Sequence, residues 1–173
     1  SRGLGDVYKR QGWFHTGDIG CFVDGDFLKI TDRKKEIFKT SGGKYIAPQQ
    51  MENKYKESRF IEQIMVIGEN KKHPAALIVP AFAFVEEWCK LKNISISSAE
   101  ELIKNEKVIA RINEELDSFN SQFGKWEQVK KFELIDHEWT VDTEELTPTM
   151  KLKRKNIMAK YTHLVEKIYG PAM

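Results

Sequence analysis

Apolar residues recur every three or four positions through the middle of the chain. Val108, Ile112, Leu116, Phe119 and Phe123 form one stripe, predicting a helix over 106–123 that Gly124 ends. Ile157, Tyr161, Leu164, Val165 and Ile168 repeat the pattern and predict a final helix over 154–169, stopped by Gly170-Pro171. Val85, Trp88 and Cys89 place a helix over 82–92. Met51 and Tyr55, four apart behind Pro48, place a short one over 48–55. Ser97-Ser98 ahead of Glu100-Glu101 reads as another helix start. Elsewhere the period shortens. Apolar runs at 60–68 and 75–79, joined by the turn-rich 69–74, predict antiparallel neighbours. A third strand is expected at 129–134, followed by an acidic, turn-like connection over 136–145. Asp24-Gly25 between two β-prone runs predicts a hairpin over 21–30. The sum is an α+β fold: a small mixed three-stranded sheet flanked by helices and preceded by a β-hairpin.

Composition narrows this without redirecting it. A chain of 173 residues makes one ordinary domain, or a domain with an appendage. The apolar runs are far shorter than the ~20 residues a membrane span needs, and no secretory leader pattern is present. A net charge of +2 is too small to argue for nucleic acid. Cys21 and Cys89 lie far apart without metal-ligand spacing, which favours free thiols and a cytoplasmic setting. The four histidines show no paired spacing, so no metal site is expected.

The stretch 30–52 carries the most information. A basic run, Arg33-Lys34-Lys35, leads to Ile37-Phe38, then to the pair Gly42-Gly43, Lys44 and the helix start at Pro48. Glycines there allow positive φ and close approach of another molecule to the backbone. Taken alone the stretch reads as an ordinary strand, turn and helix. Upstream sits Gly12-Trp13-Phe14-His15-Thr16-Gly17-Asp18. Downstream sits Leu146-Thr147-Pro148-Thr149-Met150-Lys151-Leu152-Lys153-Arg154. In this order the stretches resemble the C-terminal end of the AMP-forming acyl-CoA synthetases, with the long-chain fatty acid–CoA ligases as the nearest match. The resemblance runs from about Gly12 to about Tyr169.

The resemblance implies a C-terminal lid domain over 35–173. Residues 12–34 are then a hairpin from the edge of a large adenylating domain, and 1–11 an unmatched leader. It implies an enzyme that activates a fatty acid with ATP to acyl-AMP and transfers the acyl group to coenzyme A. Both steps move negative charge, so placed cations and positioning matter most. The implied catalytic residue is Lys151, its ammonium bridging carboxylate and phosphate oxygens. The glycine usual before this lysine is Met150 here. Asp18 and Arg33 are implied to hold the ribose, and Lys35 to be the hinge. Gly42, Gly43 and Lys44 are implied to line the path of coenzyme A. Without the resemblance, Lys151 to Lys155 read as a solvated basic helix start, Asp18 as a turn residue, and Lys44 as part of a β-turn. His15 and Trp13 read as packing residues.

ATP and Mg are expected to sit mainly on the large domain, which is also the expected partner. The chain alone is expected to be inactive. The substrates are fatty acid, ATP and coenzyme A, with no nucleic acid; peripheral membrane association is left open. Two alternatives stand beside this reading. One is the lid of an aryl or amino-acid activating enzyme that loads a carrier protein. The other is a basic α+β module binding RNA or anionic lipid through Lys34, Lys35, Lys151, Lys153 and Arg154. The lack of an aromatic-rich basic sheet face argues against RNA.

Overall fold

A computed structural model describes the backbone of residues 9–10, 13–14, 16–33 and 36–171, and the side chains of 16–30 and 36–171. The chain opens with β1 (Lys9–Arg10) paired antiparallel to β2 (Trp13–Phe14). A hairpin follows, β3 (Asp18–Val23) against β4 (Phe27–Arg33), turned by Asp24 at φ 52° and Gly25 at φ 85°. Phe22, Phe27, Leu28 and Ile30 are all exposed on it. A second, tight hairpin joins β5 (Phe38–Lys39) to β6 (Tyr45–Ile46) and leads into α1 (Pro48–Tyr55).

The sheet is β7 (Ile61–Ile67), β8 (Ala75–Pro80) and β9 (Lys131–Leu134). β7 and β8 are antiparallel through their short link, and β8 and β9 are parallel, so the sheet is mixed. The parallel pair needs a long crossover. That crossover is α2 (Phe82–Leu91), α3 (Ala99–Lys104) and α4 (Glu106–Asn120). Every residue of the central strand β8 is buried, because helices cover both faces of the sheet. Ile64, Val66, Ala76 and Ile78 pack toward α1, α2 and α4 with Met51, Tyr55, Val85, Ile112 and Leu116. The alternate residues Met65, Ile67, Leu77 and Val79 pack on the opposite side with Trp139, Leu146, Ile157, Tyr161 and Ile168.

Two helices differ from the pattern in their sequence. α4 ends at Asn120, short of Gly124. The Asn120 carboxamide turns inward, accepting from Tyr55 Oη at 2.7 Å and the Val129 amide at 3.0 Å and donating to the Val129 carbonyl at 3.0 Å. This spends the last helical turn on tying α4 to the approach to β9. Phe119 and Phe123 still pack on Tyr55, so the periodic stripe outlasts the helix that it predicts. The final helix is divided into α5 (Arg154–Lys160) and α6 (Thr162–Tyr169). Tyr161 at the break is buried and hydrogen-bonded, and the Thr162 hydroxyl donates back to the Met158 and Ala159 carbonyls, a contact that bends helices.

Candidate functional site

Lys151 lies at the end of a small hairpin of its own. Leu146 and Leu152 form an antiparallel bridge, the Thr147 amide donates to the Lys151 carbonyl at 2.8 Å, and the Met150 amide donates to the Thr147 carbonyl at 2.8 Å. The Thr147 hydroxyl also accepts from the Lys151 amide at 3.1 Å. These bonds fix the backbone and leave the Lys151 side chain exposed. Met150 adopts φ 58°, the left-handed region. The resemblance puts glycine at this position, and the conformation explains why: a Cβ is strained there.

Behind the lysine, Lys151, Met150 and Leu152 border a cleft of about 140 Å³ with Glu36, Gln49, Glu52, Asn53, Lys56 and Arg154. Its floor is an ion pair. Arg154 Nη2 lies 2.6 and 2.7 Å from the two Glu52 carboxylate oxygens, and Arg154 Nη1 donates to the Val66 carbonyl at 3.1 Å. The Val66 amide donates to Glu52 at 2.7 Å. Burial pushes the Glu52 carboxyl up to about 7, while Arg154 and the Val66 amide pull against that rise. A fork of this kind joins α1, β7 and α5 at one point. It also divides the basic run 151–155, because Arg154 is committed inward. The surface expected of a contiguous basic binding module is therefore interrupted.

Asp18 and Arg33 face each other as the last register pair at the open end of the β3–β4 hairpin. The Asp18 amide donates to the Thr16 hydroxyl at 3.1 Å. The two backbones are thus brought together; the side chain of Arg33 lies outside the described residues. Lys35, the expected hinge, lies outside them too, as do Lys34 and His15.

Gly42, Gly43 and Lys44 form the exposed tip between β5 and β6. The Thr40 amide donates to the Lys44 carbonyl and the Gly43 amide to the Thr40 carbonyl, both at 2.9 Å. Gly43 has φ 81°, so the turn itself requires glycine there. Gly42 is different. Its φ is ordinary, and an added Cβ would meet only the Thr40 hydroxyl at 4.0 Å. Among the described residues nothing excludes a side chain at Gly42. Lys44 Nζ sits 5.3 Å from the centre of the Trp126 ring, which is 53% exposed. Lys39 Nζ lies 5.6 Å from the ring of Tyr45, also exposed. The glycine tip therefore stands beside flat aromatic faces edged by cations. The Lys151 hairpin and this tip have separate neighbours.

Sequence reasoning missed Trp126, which no periodic pattern distinguishes. It also missed Glu52, although a carboxylate beside Met51 and four residues from Pro48 falls on the inward face of α1 and so needs a cationic partner. Among the described residues, no cluster of three His, Cys, Asp or Glu side chains is placed to hold a metal. No helix among them is long and apolar enough to cross a membrane.

Residues 35–172 match the sequence model of a family described as the AMP-binding enzyme C-terminal domain. The chain is 36% identical over 172 residues to long chain acyl-CoA synthetase 2 of Arabidopsis thaliana, covering 98% of this chain and 26% of that protein. It is 38% identical over 162 residues to the long-chain-fatty-acid–CoA ligase FadD15 of Mycobacterium tuberculosis, covering 92% and 27%. The chain thus spans about a quarter of the length of these relatives. Among solved structures, its fold is similar to the adenylation domain of a carboxylate reductase from Mycobacterium chelonae. That match has a TM-score of 0.77 and 23% identity, covering 96% of this chain and 24% of that one.

Proposed function

This chain belongs to the family of AMP-binding enzyme C-terminal domains, and from that premise we propose that it is the lid of a long-chain fatty acid–CoA ligase. In this reading a fatty acid carboxylate attacks the α-phosphorus of ATP and expels pyrophosphate. The thiol of coenzyme A then attacks the acyl carbon and expels AMP. The observation that carries the proposal is the setting of Lys151: a backbone locked by hydrogen bonds, with the cationic side chain presented to solvent. A preplaced ammonium stabilises charge that develops between a carboxylate and a phosphate oxygen without reorganising at the moment of reaction.

The other roles follow from the same premise. Asp18 accepts the ribose hydroxyls, and Arg33 across the register supplies the opposing donor. Lys35 is the pivot about which the lid changes face between the two steps. Residues 12–34 belong to the edge of the large adenylating domain, the partner that holds Mg and the ATP phosphates. The tip Gly42-Gly43-Lys44 serves the second step. Open space at Gly42, which no contact among the described residues requires, suits the passage of a slender thiol arm. The Lys44–Trp126 pair offers a cation and a ring face to the nucleotide end of coenzyme A.

The test uses the polypeptide in which this domain is joined to its large domain, assayed for each half-reaction. Lys151→Ala is expected to lower acyl-adenylate formation at least about a hundredfold, the scale of losing one charge-stabilising donor. Acyl transfer from supplied acyl-adenylate to coenzyme A should persist. Gly42→Val is expected to do the reverse. Unchanged adenylation in Lys151→Ala would end the proposal.

A further inference from the structure

A second group of titratable side chains lies behind the Lys151 hairpin. Glu145 is 1% exposed. Its Oε1 accepts from Lys160 Nζ and from the Tyr161 hydroxyl at 3.3 Å, while its Oε2 is buried with no hydrogen-bond partner among the described residues. The Tyr161 oxygen accepts from Trp139 Nε1 at 3.2 Å and lies 2.9 Å from His137 Nε2. The other nitrogen of that ring, Nδ1, is 2.6 Å from Asp136 Oδ1. Burying a carboxylate with one oxygen unsatisfied is unfavourable unless its surroundings hold it firmly. Here the hold comes from α5, through Lys160, and from the break between α5 and α6, through Tyr161.

The backbone of the same residue begins the hairpin that carries the lysine. The Lys153 amide donates to the Glu145 carbonyl at 2.7 Å, Leu146 pairs with Leu152, and Thr147 pairs with Lys151. Glu144 and Met150 adopt φ 66° and 58°, so left-handed, non-glycine residues flank these rungs. Backbone of this kind persists only where the surroundings over-determine it.

We propose that Glu145, anchored by Lys160 and Tyr161, is a positioning residue for Lys151. It fixes the base of the hairpin to the C-terminal helices, and so fixes the direction in which the lysine leaves the surface. The inference rests on the adenylation role of Lys151 proposed above. A displacement of about 1 Å at a reacting group lowers rate on the order of a hundredfold, so a tether at the base of a short hairpin acts directly on catalysis.

The experiment measures both half-reactions in the polypeptide that includes the large domain, with Lys151→Ala as reference. Glu145→Gln keeps shape and removes charge. It should lower the turnover of acyl-adenylate formation about tenfold or more, with KM for ATP and acyl transfer from supplied acyl-adenylate both within about twofold. Lys160→Met, measured below its own unfolding temperature because it leaves Glu145 without its cation, should act in the same direction, and Lys160→Arg, which keeps the charge, should restore the rate. Equal losses in both half-reactions would mean a structural role only and overturn the proposal, as would no loss in either. Should Glu145→Gln not fold, the Lys160 pair of variants decides. If Lys151→Ala abolishes adenylation while Glu145→Gln and Lys160→Met leave it intact, this inference alone falls. If Lys151→Ala is itself harmless, the reading of Lys151 falls with it.

Discussion

Single residues in this domain separate into those the fold needs and those it merely presents. Arg154 is of the first kind. Replacing it with alanine leaves Glu52 buried without its charged partner, which costs about 3–5 kcal/mol in comparable sites. Lys155, one residue on and exposed, should change stability by less than about 0.5 kcal/mol when replaced. Urea unfolding of the two variants side by side checks the contrast; similar losses would show that the Glu52 fork is not what holds α5. Met150 is of the second kind. Its side chain is exposed and its φ is 58°, so Met150→Gly should raise stability by up to about 1 kcal/mol, since relief of strain exceeds the backbone entropy glycine adds. A loss would mean that the methionine side chain makes contacts that outweigh its strained backbone.

Elements respond to pH through the carboxylates buried between them. Burial alone raises the Glu145 carboxyl, but the hydrogen bond and charge of Lys160 pull it down, and the group sits below its ordinary 4.5. A carboxyl depressed in the folded state contributes stability that is fully present above 4.5 and is lost as pH falls through the lower folded value. The connection 136–147 and helix α5 should therefore loosen in acid. Glu145→Gln should flatten the acid side of the stability profile, read from unfolding between roughly pH 5 and pH 3. An acid limb as steep as in the parent protein would assign that dependence to other carboxylates. The element boundaries follow the same logic of buried polar groups. Asn120 ends α4 and Tyr161 divides α5 from α6, in both cases because a side chain inside the protein has partners that a continuous helix would not let it reach.

At the scale of the molecule, among the described residues the two cores on either side of β8 use no side chain of the β3–β4 hairpin, whose strand β4 runs beside α1. Its exposed Phe22, Leu28 and Ile30 share one face by register and make an apolar row of the kind that a larger body covers, while Phe27 is exposed on the other face beside Val23. A chain beginning at residue 36 should fold with stability within about 1 kcal/mol of the parent. In a polypeptide that includes the proposed large domain, amide exchange in the hairpin should slow. Collapse of the shortened chain, or hairpin exchange unaffected by the larger body, would count against that division.

The sequence by itself determined where most helices and strands lie, though not the early end of α4 at Asn120, the break at Tyr161 or the β1–β2 pair. It determined the inward faces of α1, α2 and α4 and the antiparallel pairing of β7 with β8, because periodicity and link length are local properties. It also carried the motifs that imply Lys151, Asp18, Arg33 and the glycine pair. Only the tertiary structure decided that Gly43 is required by its turn and Gly42 is not, that Lys44 meets Trp126, that Glu52 and Arg154 close on each other, and that Glu145 is tied to Lys160 and Tyr161. The paired residues are from 15 to 102 positions apart and the demand at Gly43 lies in its own φ, and no linear pattern records what the packing of α5 and α6 against β8 brings within hydrogen-bond reach.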